Sequence, residues 1–335
     1  MTENAAVLAA VDWGTSRFRL WLLDAEGRAL ALSQGPEGLE AGRRLGFEAV
    51  LRDHLSRLSA PETLPVLICG MAGSHQGWIE APYVDLPASL DRVAEAVVPV
   101  PGIGLDVRIV PGLAKRDHSA PDVMRGEETQ LIGVAAGAPT GAPTGANRGA
   151  NGGAMPGRMQ LCLPGTHSKW VALDGRRVED FTSYLTGELY ALLSRHSILR
   201  HSLTGVDAEA GIQVDPDNPV FAAALERALA APERLLSALF SIRAAGLLDG
   251  LAGVDAAARL SGVLIGAEVA TALDRGDGPA AVTLVASGGM ARLYGAALAA
   301  AGAVVTTVDA DRAVCAGLMA VASKDAAGGP ARRRA

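Results

Sequence analysis

The segment 12–17, with the sequence Asp-Trp-Gly-Thr-Ser-Arg, contains residue types that can hold a chain of phosphates. Gly14 lets the backbone approach an anion closely, and Thr15 and Ser16 add hydroxyl donors beside main-chain N–H groups. Asp12 can hold a hydrated cation. An apolar stretch precedes the segment and an alternating stretch follows it, so we predict two antiparallel strands joined by this turn. A lone motif of this length also fits an ordinary hairpin whose Asp and Thr only satisfy turn amides.

A second segment, 164–169, repeats this layout in the other half of the chain. It reads Pro-Gly-Thr-His-Ser-Lys and lies between a predicted strand at 159–163 and a Trp-containing stretch at 170–173. Each half therefore has a strand, a Gly-Thr turn with a cation nearby, a Trp-containing strand, and then Asp and Gly. An internal repeat of this kind indicates two related units and favours phosphate binding over an ordinary hairpin.

A glycine-rich loop at 70–78 follows the short apolar stretch 65–69. A strand that ends in such a loop is where α/β folds place small-molecule contacts, at the carboxyl end of the sheet. The loop residues that could bind the hydroxyls and an apolar face of a substrate are Ser74, His75, Gln76 and Trp78. Alternatively, the loop is a connection in which the His and Trp side chains simply pack.

The stretch Met-Arg-Gly-Glu-Glu-Thr-Gln at 124–130 contains two adjacent carboxylates. We predict that a helix begins at Glu127, because Gly126 precedes it and acidic residues in a first turn complement the helix dipole. A carboxylate there, beside Arg125, could orient a hydroxyl or a water for attack on phosphorus. Glu127 and Glu128 could equally be ordinary first-turn acids.

The composition is that of a folded globular protein. Of the 335 residues, 49% are hydrophobic and 20% are charged, and the net charge is -6, which argues against disorder and against a nucleic-acid partner. The N-terminus lacks a basic segment followed by an apolar core, and no apolar run approaches the ~20 residues of a membrane span. We therefore expect a cytoplasmic protein with no membrane partner. Cys69, Cys162 and Cys315 are far apart, which indicates neither a zinc site nor a disulfide framework.

The length suits two domains of ordinary size. Residues 136–158 repeat a Gly-Ala-Pro-Thr unit and offer little apolar surface for burial, so we predict a low-complexity mobile loop there. We expect an N-terminal domain at 1–135 and a C-terminal domain at 159–308. A helix at 309–325 is expected to connect back to the N-terminal domain, and residues 326–335 to form a disordered tail.

These motifs resemble those of the sugar kinase, actin and heat-shock chaperone ATPase superfamily. The two Gly-Thr hairpins look like its phosphate-1 and phosphate-2 loops, and the helix after Gly126 is similar to its first connecting helix. The stretch 282–294 resembles its adenosine motif, and 309–320 its second connecting helix. One difference is that Leu163-Pro164 stands in phosphate-2 where many members of the superfamily have Asp.

More narrowly, four motifs in order resemble the 2-dehydro-3-deoxygalactonokinase family. They are Asp-Trp-Gly-Thr-Ser, Gly-Met-Ala-Gly-Ser, Met-Arg-Gly-Glu-Glu-Thr-Gln and Leu-Pro-Gly-Thr-His-Ser-Lys-Trp, with Thr-Gly-Glu-Leu following at 186–189. The resemblance implies an α/β protein with two actin-like ATPase domains, ribonuclease H-like in topology, that flank a nucleotide cleft. It implies that the domain at 1–135 is on the sugar-acid side and the domain at 159–308 on the nucleotide side. It implies transfer of the ATP γ-phosphoryl group, with Mg²⁺, to the 6-hydroxyl of 2-dehydro-3-deoxy-D-galactonate in galactonate catabolism.

The resemblance also assigns roles, since phosphoryl transfer needs mainly positioning and charge stabilisation. Asp12 would anchor the magnesium through water. The residues that would bind the ATP phosphates are Asp12, Gly14, Thr15, Ser16, Gly165, Thr166, His167 and Lys169. Arg17 and Lys169 are the candidates for stabilising charge in the transition state. The residues expected beside the adenosine are Gly288, Gly289 and Met290.

On the acceptor side, Ser74, His75, Gln76 and Trp78 would hold the substrate, and Arg125 would bind its carboxylate with two parallel hydrogen bonds. The general base would be Glu128 or Glu127. We favour Glu128, which lies deeper in the helix and nearer the second position of a similar Glu-Glu pair in phosphohydrolases of the superfamily.

Other functions fit parts of the sequence. A kinase for a related keto-deoxy sugar acid would share every motif, and a polyphosphate or nucleotide phosphohydrolase would share the Gly-Glu-Glu-Thr-Gln stretch. An ATP-driven binding protein is disfavoured because 176–325 leaves no room for an appended peptide-binding domain. Ala-rich amphipathic helices are predicted at 220–230, 234–251 and 256–273, and their surfaces could pair two copies into a homodimer.

Overall fold

The computed structural model describes residues 5–137, 157–205, 214–273 and 280–327. Residues 138–156 of the predicted mobile loop and 328–335 of the predicted tail lie outside these ranges. Of the helices in the described part of the chain, none is both long enough and apolar enough to span a membrane.

The elements before the predicted loop form one six-stranded sheet, called the first sheet, a three-stranded small sheet, and one edge strand of another sheet. The strands are β1 (Leu8–Trp13), β2 (Phe18–Leu23), β3 (Ala29–Gly35), β4 (Val66–Gly70), β5 (Val84–Asp85), β6 (Ala88–Ser89), β7 (Val98–Pro99), β8 (Val107–Ile109), β9 (Leu113–Lys115) and β10 (Asp122–Met124). The helices are α1 (Leu39–Leu45), α2 (Phe47–Arg57), α3 (Leu90–Glu95) and α4 (Glu127–Ala135).

The elements after the predicted loop supply five strands of a second six-stranded sheet, called the second sheet, and the helices around it; β6 is its sixth strand. The strands are β11 (Arg158–Leu163), β12 (Ser168–Asp174), β13 (Arg177–Tyr184), β14 (Ala281–Val285) and β15 (Val304–Val308). The helices are α5 (Thr186–His196), α6 (Pro219–Ala230), α7 (Leu235–Leu248), α8 (Gly253–Ala272), α9 (Gly288–Ala300) and α10 (Ala310–Ala327). The three predicted Ala-rich helices are thus α6, α7 and α8.

The two large sheets have the same strand order. The first sheet runs β3-β2-β1-β4-β8 with β7 beyond it, and the second runs β13-β12-β11-β14-β15 with β6 beyond β13. In both, the first three strands are antiparallel and the fourth lies parallel to the first. The internal repeat predicted from the two Gly-Thr turns is therefore a repeat of whole sheets, and both predicted hairpins are present. The small sheet, β10-β9-β5, lies outside the repeat.

A single core cluster joins the two large sheets through α4 and α10. It contains Leu8 from β1, Leu131 from α4, Leu161 from β11 and Leu318 from α10, all at most 1% exposed. The two helices come unusually close, because a Cβ on Gly133 would lie 1.9 Å from the carbonyl oxygen of Ala313. Residues on both helices are therefore held at fixed positions between the sheets.

Candidate active site

The first Gly-Thr turn is tight and open to solvent. The N–H of Gly14 donates to the carbonyl of Arg17 at 2.8 Å, and the side chains of Thr15, Ser16 and Arg17 are exposed. The start of α1 supports the turn, since the N–H of Leu39 donates to the carbonyl of Thr15 at 3.0 Å. The hydroxyls and the guanidinium therefore face the space where an anion could enter.

The second turn is supported in the same way by the start of α5. The N–H of Glu188 donates to the carbonyl of Thr166 at 2.8 Å, and a Cβ on Gly187 would lie 2.4 Å from the carbonyl oxygen of Gly165. Thr166 and His167 are exposed, and Nε2 of His167 lies 2.5 Å from a carboxylate oxygen of Glu188. The repeat thus includes a helix start that packs against each turn. In the sequence, only the start of α5 was marked by a motif, the Thr-Gly-Glu-Leu at 186–189.

Asp12 is joined to the far end of the chain by an arginine whose importance the sequence did not reveal. In the register of β1 and β2, Asp12 lies opposite Arg19. The Arg19 guanidinium donates to the carboxylates of both Asp12 and Asp311, the latter at the start of α10. Burial raises the pKa of Asp311, while the charge of Arg19 opposes that shift. The strand alternation alone would have placed Arg19 beside Asp12, but nothing in the sequence paired it with Asp311.

A cavity of about 830 Å³ opens beside this ion pair. Its lining comes from the first Gly-Thr turn, from the neighbouring strands and from α10: Asp12, Gly14, Ser16, Arg17, Phe18, Arg19, Gln34, Gly35, Pro36 and Asp311. The carboxylates of Asp12 and Asp311 are oxygen donors of the kind that Mg²⁺ prefers. Within the described ranges, no three His, Cys, Asp or Glu residues are grouped so as to bind a metal by themselves. These two carboxylates therefore fit a magnesium ion whose other ligands would be water and phosphate oxygens.

The end of β4 brings the start of α4 towards Asp12. Gly70 has φ +90°, and a Cβ there would lie 2.5 Å from the carbonyl oxygen of Trp13 and 3.4 Å from Oδ1 of Asp12. A Cβ on Gly126 would in turn lie 3.4 Å from Cα of Gly70. Only glycine fits at position 70 without strain, and this close approach brings the start of α4, with its two glutamates, towards the first Gly-Thr turn.

The two glutamates lie in different surroundings. Glu128 is fully buried; its Oε2 accepts from the N–H of Gly126 at 2.7 Å, and its Oε1 from the hydroxyl of Thr129 at 3.3 Å. Burial, together with the charge of Glu127, raises the pKa of Glu128 to about 8. It is therefore a neutral carboxylic acid at pH 7.

Glu127 is only half-buried and faces charged groups of the candidate site. Its Oε2 accepts from the N–H of Arg125 at 3.1 Å. Burial raises its pKa, the nearby ammonium of Lys169 opposes that shift, and the carboxylate of Asp12 adds to it. The charges of Asp12 from β1 and Lys169 from β12, one from each half of the chain, therefore both act on this one carboxylate.

Arg125 is held against the loop at 70–78. Its Nη2 donates to the carbonyl of Ala81 at 2.8 Å, and its guanidinium lies 4.3 Å from the ring centroid of Tyr83. A Cβ on Gly73 would lie 2.8 Å from Nη1 of Arg125. Nε and Nη1 of Arg125 and the hydroxyl of Ser74 are buried and have no hydrogen-bond partner among the described residues. Because buried donors without partners are costly, these atoms mark a place for a polar ligand.

The other residues of this loop lie elsewhere. His75 and Gln76 are exposed, and Nδ1 of His75 lies 2.9 Å from a carboxylate oxygen of Glu80. Trp78 packs beside Trp13 and stacks on Phe47, with ring centroids 6.0 Å apart, as the packing interpretation of this loop expected. Of the four predicted substrate contacts, Ser74 is the one with a buried polar atom that lacks a hydrogen-bond partner among the described residues, and it directly follows Gly73, which lies against Arg125.

The predicted adenosine motif lies at the start of α9. Gly288 and Gly289 are exposed, with open space where a Cβ would be, and Met290 packs partly against the core of the second sheet. The hydroxyl of the preceding Ser287 donates to Asp309 at 2.7 Å, just before α10. This contact sets the glycines beside the end of α10 that carries Asp311.

Comparison with known proteins identifies the family of the chain. The profile of the family described as 2-keto-3-deoxy-galactonokinase matches residues 12–321. The chain belongs to this family. A Rhizobium meliloti (strain 1021) protein named as a probable 2-dehydro-3-deoxygalactonokinase is 45% identical over 319 residues, covering 95% of this chain and 97% of the relative. The Escherichia coli (strain K12) 2-dehydro-3-deoxygalactonokinase is 35% identical over 313 residues, covering 93% and 96%.

Solved structures agree with the family assignment. A crystal structure described as a 2-dehydro-3-deoxygalactonokinase protein from Sinorhizobium meliloti matches with a TM-score of 0.83 and 45% identity, covering 95% of this chain and 99% of that one. Component A of the Acidaminococcus fermentans (R)-2-hydroxyglutaryl-CoA dehydratase matches with a TM-score of 0.51 at 10% identity, covering 96% and 100%, and shows the fold alone. Both the resemblance to the kinase family and the two-part actin-like α/β fold predicted from the sequence are confirmed.

Proposed function

We propose that this family member phosphorylates the 6-hydroxyl of 2-dehydro-3-deoxy-D-galactonate with ATP, giving 2-dehydro-3-deoxy-6-phosphogalactonate in galactonate catabolism. The observation that carries the proposal is the match along nearly the whole chain to relatives named as this kinase, at 45% and 35% identity. The protein acts in the cytoplasm, where ATP is available.

In this proposal the two Gly-Thr turns hold the ATP phosphates from opposite sides. The exposed hydroxyls of Thr15, Ser16 and Thr166 donate to phosphate oxygens, and His167 and the turn amides add donors. Asp12 holds Mg²⁺ through water, and the ion neutralises phosphate charge when it is bound. Arg17 is exposed at the turn and is free to move toward the transferring group. Gly288, Gly289 and Met290 lie beside the adenosine.

Glu127 serves as the general base in this proposal, in preference to Glu128. A base must reach the acceptor hydroxyl, and Glu127 is the half-buried carboxylate that faces Asp12 and Lys169, whereas Glu128 is closed off from solvent. The acceptor oxygen bonds to the γ-phosphorus as the bond from that phosphorus to the β–γ bridging oxygen breaks. The hydroxyl proton passes to the Glu127 carboxylate, and Lys169 stabilises the charge on the phosphoryl oxygens.

Arg125 and Ser74 bind the acceptor in this proposal. The buried Nε and Nη1 of Arg125 would donate to the substrate carboxylate, and the buried hydroxyl of Ser74 to a nearby substrate oxygen. Since these donors lack partners among the described residues, binding an oxygen-rich acid removes a cost that the free protein bears. His75, Gln76 and Trp78 line the outer part of the same loop.

The activity is tested by coupled ADP release with Mg-ATP and four acceptor conditions: 2-dehydro-3-deoxygalactonate, its gluconate-series epimer, galactonate, and no acceptor. We expect release that depends on the first acceptor and is lost in Asp12→Asn. A preference for the epimer would keep the kinase mechanism and change the substrate. ADP release that is indifferent to every acceptor would overturn the kinase and favour a phosphohydrolase.

The choice of base is tested by comparing Glu127→Gln with Glu128→Gln. We expect kcat to fall by about 10²- to 10⁴-fold in Glu127→Gln, because removing a general base costs that much. Glu128→Gln should keep most of kcat, since an amide can accept the same hydrogen bond from Gly126 that the neutral acid accepts. The reverse order of the two losses would restore Glu128 as the base.

A further inference from the structure

Lys169 is a buried cation whose side chain is held by its cross-strand neighbour. In the register of β12 and β13, Lys169 lies opposite Ser183. Its Nζ donates to the hydroxyl of Ser183 at 2.6 Å, and the residue is 5% exposed. A buried ammonium needs hydrogen-bond acceptors around it, so this hydroxyl limits where the Lys169 charge can lie.

The hydroxyl of Ser183 is itself held by a residue of the small sheet. Asp122, on β10 of the small sheet, accepts from the hydroxyl of Ser183 at 2.7 Å and from its backbone N–H at 2.6 Å. Because the hydroxyl proton is committed to Asp122, the oxygen lone pairs of Ser183 are left to accept from Lys169. Asp122, Ser183 and Lys169 thus form one chain of hydrogen bonds that crosses from the small sheet to the second sheet.

Both ends of this chain of hydrogen bonds are related to residues 122–127. Asp122 is one end, and the charge of Lys169, at the other end, acts on Glu127. Asp122 begins β10, and Glu127, on which the Lys169 charge acts, begins α4 five positions later. Lys169 itself directly follows the second Gly-Thr turn and begins β12 with Ser168. The position of the ammonium relative to Glu127 therefore depends on how the small sheet and the second sheet lie against one another.

We propose that Ser183 and Asp122 are positioning residues, which hold the Lys169 ammonium between Glu127 and the transferring phosphoryl group. This role rests on the proposed kinase function. A shift of the small sheet against the second sheet would move the Lys169 ammonium, because Asp122 bonds to Ser183 and Ser183 bonds to Lys169. Ser183 and Asp122 themselves do not touch the reacting atoms.

A neighbouring ion pair provides a matched control. Asp180 lies on β13, three positions before Ser183, and its Oδ1 is 2.7 Å from Nζ of Lys115 on β9. This contact also joins β13 to the small sheet, but neither residue bonds to Lys169. Asp180→Asn therefore weakens the same junction without touching the proposed chain of hydrogen bonds.

The test measures kcat, KM for ATP and for the acceptor, and thermal unfolding for Ser183→Ala, Ser183→Thr, Asp122→Asn and Asp180→Asn. We expect Ser183→Ala and Asp122→Asn to lower kcat by about 10- to 100-fold, the cost of a misplaced catalytic group, with a much smaller change in KM for ATP. Ser183→Thr keeps the hydroxyl and should restore kcat. Asp180→Asn should resemble the wild type.

A double-variant cycle separates positioning from general weakening. If Ser183 acts through the ammonium, Ser183→Ala should cause little further loss of kcat in a Lys169→Met background. A loss that is additive with Lys169→Met, or an unchanged kcat in Ser183→Ala, would overturn the positioning role. These outcomes require a wild type that phosphorylates an acceptor. A wild type that releases ADP without regard to acceptor would instead overturn the proposed function, and this role with it.

Discussion

Burial separates the roles of two carboxylates that are neighbours in the chain. Glu128 is buried beside Thr129, where burial and the charge of Glu127 raise its pKa to about 8, while the charges of Asp12 and Lys169 act on Glu127. A neutral Glu128 adds no negative charge beside the proposed phosphate site, and it still accepts the N–H of Gly126 at the start of α4. Glu128 can thus support the helix start, and Glu127 is left as the proposed general base.

The raised pKa of Glu128 makes a testable prediction about stability. Its pKa is raised in the folded state from 4.5 to about 8, so its contribution to folding is fully present below pH ~4.5 and is lost as the pH rises through about 8. Glu128→Gln has no proton to lose. We expect the free energy of unfolding of the wild type, relative to this variant, to fall with a slope of up to about 1.4 kcal/mol per pH unit across that window.

Urea unfolding at several pH values across this window would measure the difference between the wild type and Glu128→Gln. The exposed Glu62 provides the control, because Glu62→Gln should leave the pH dependence of the wild type unchanged. Parallel curves for the wild type and Glu128→Gln would show that this carboxyl is not neutral in the folded protein.

At the scale of elements, each Gly-Thr turn packs against the first residues of a helix. Gly38, with φ -66° and ψ -166°, precedes α1, and a Cβ there would lie 2.2 Å from the carbonyl oxygen of Thr15. Gly187 plays the equivalent part in α5 beneath Gly165. Because these contacts are backbone to backbone, neither turn can adjust without moving its helix.

We predict that Gly38→Ala damages ATP binding more than folding. An added methyl group must push the Thr15 carbonyl away, and a displacement near 1 Å at a phosphate site can cost about 100-fold in kcat/KM. Steady-state kinetics with varied ATP would measure the loss. Gly157→Ala, at a glycine with open space around it, is the control and should behave as the wild type. Equal kinetics for the two variants would contradict the supporting role of Gly38.

The elements themselves were largely predictable, and their contacts were not. Alternation and turn residues predicted both hairpins and the helix at Glu127, because these features depend on neighbours in sequence. The Arg19 bridge to Asp311 and the Asp122–Ser183 contact join residues far apart in the chain, and no local pattern marks them. The sequence likewise could not show which of Glu127 and Glu128 is accessible. It favoured Glu128 for its depth in the helix, but depth does not show which face of the helix is buried.

At the scale of the whole molecule, α4 and α10 connect the two sheets at glycine contacts. A Cβ on Gly317 would lie 2.0 Å from the carbonyl oxygen of Thr129, next to Glu128. The core cluster that surrounds these helices draws residues from both large sheets. The division into domains at 1–135 and 159–308 stays a prediction, and β6 (Ala88–Ser89) pairs with β13 across that division. The two large sheets therefore share one core cluster across the predicted division.

This shared core predicts that the two halves unfold together and that Gly317→Ala destabilises both. The added methyl group forces α10 away from α4, an overpacking that costs about 1–3 kcal/mol or more. Calorimetry should show a single transition for the wild type and a single transition at lower temperature for the variant. Gly295→Ala, at a helical glycine in α9 with open space around it, should leave the transition in place. Two separate transitions, with one unmoved by Gly317→Ala, would mean that the sheets fold independently and that α4 and α10 only dock between them.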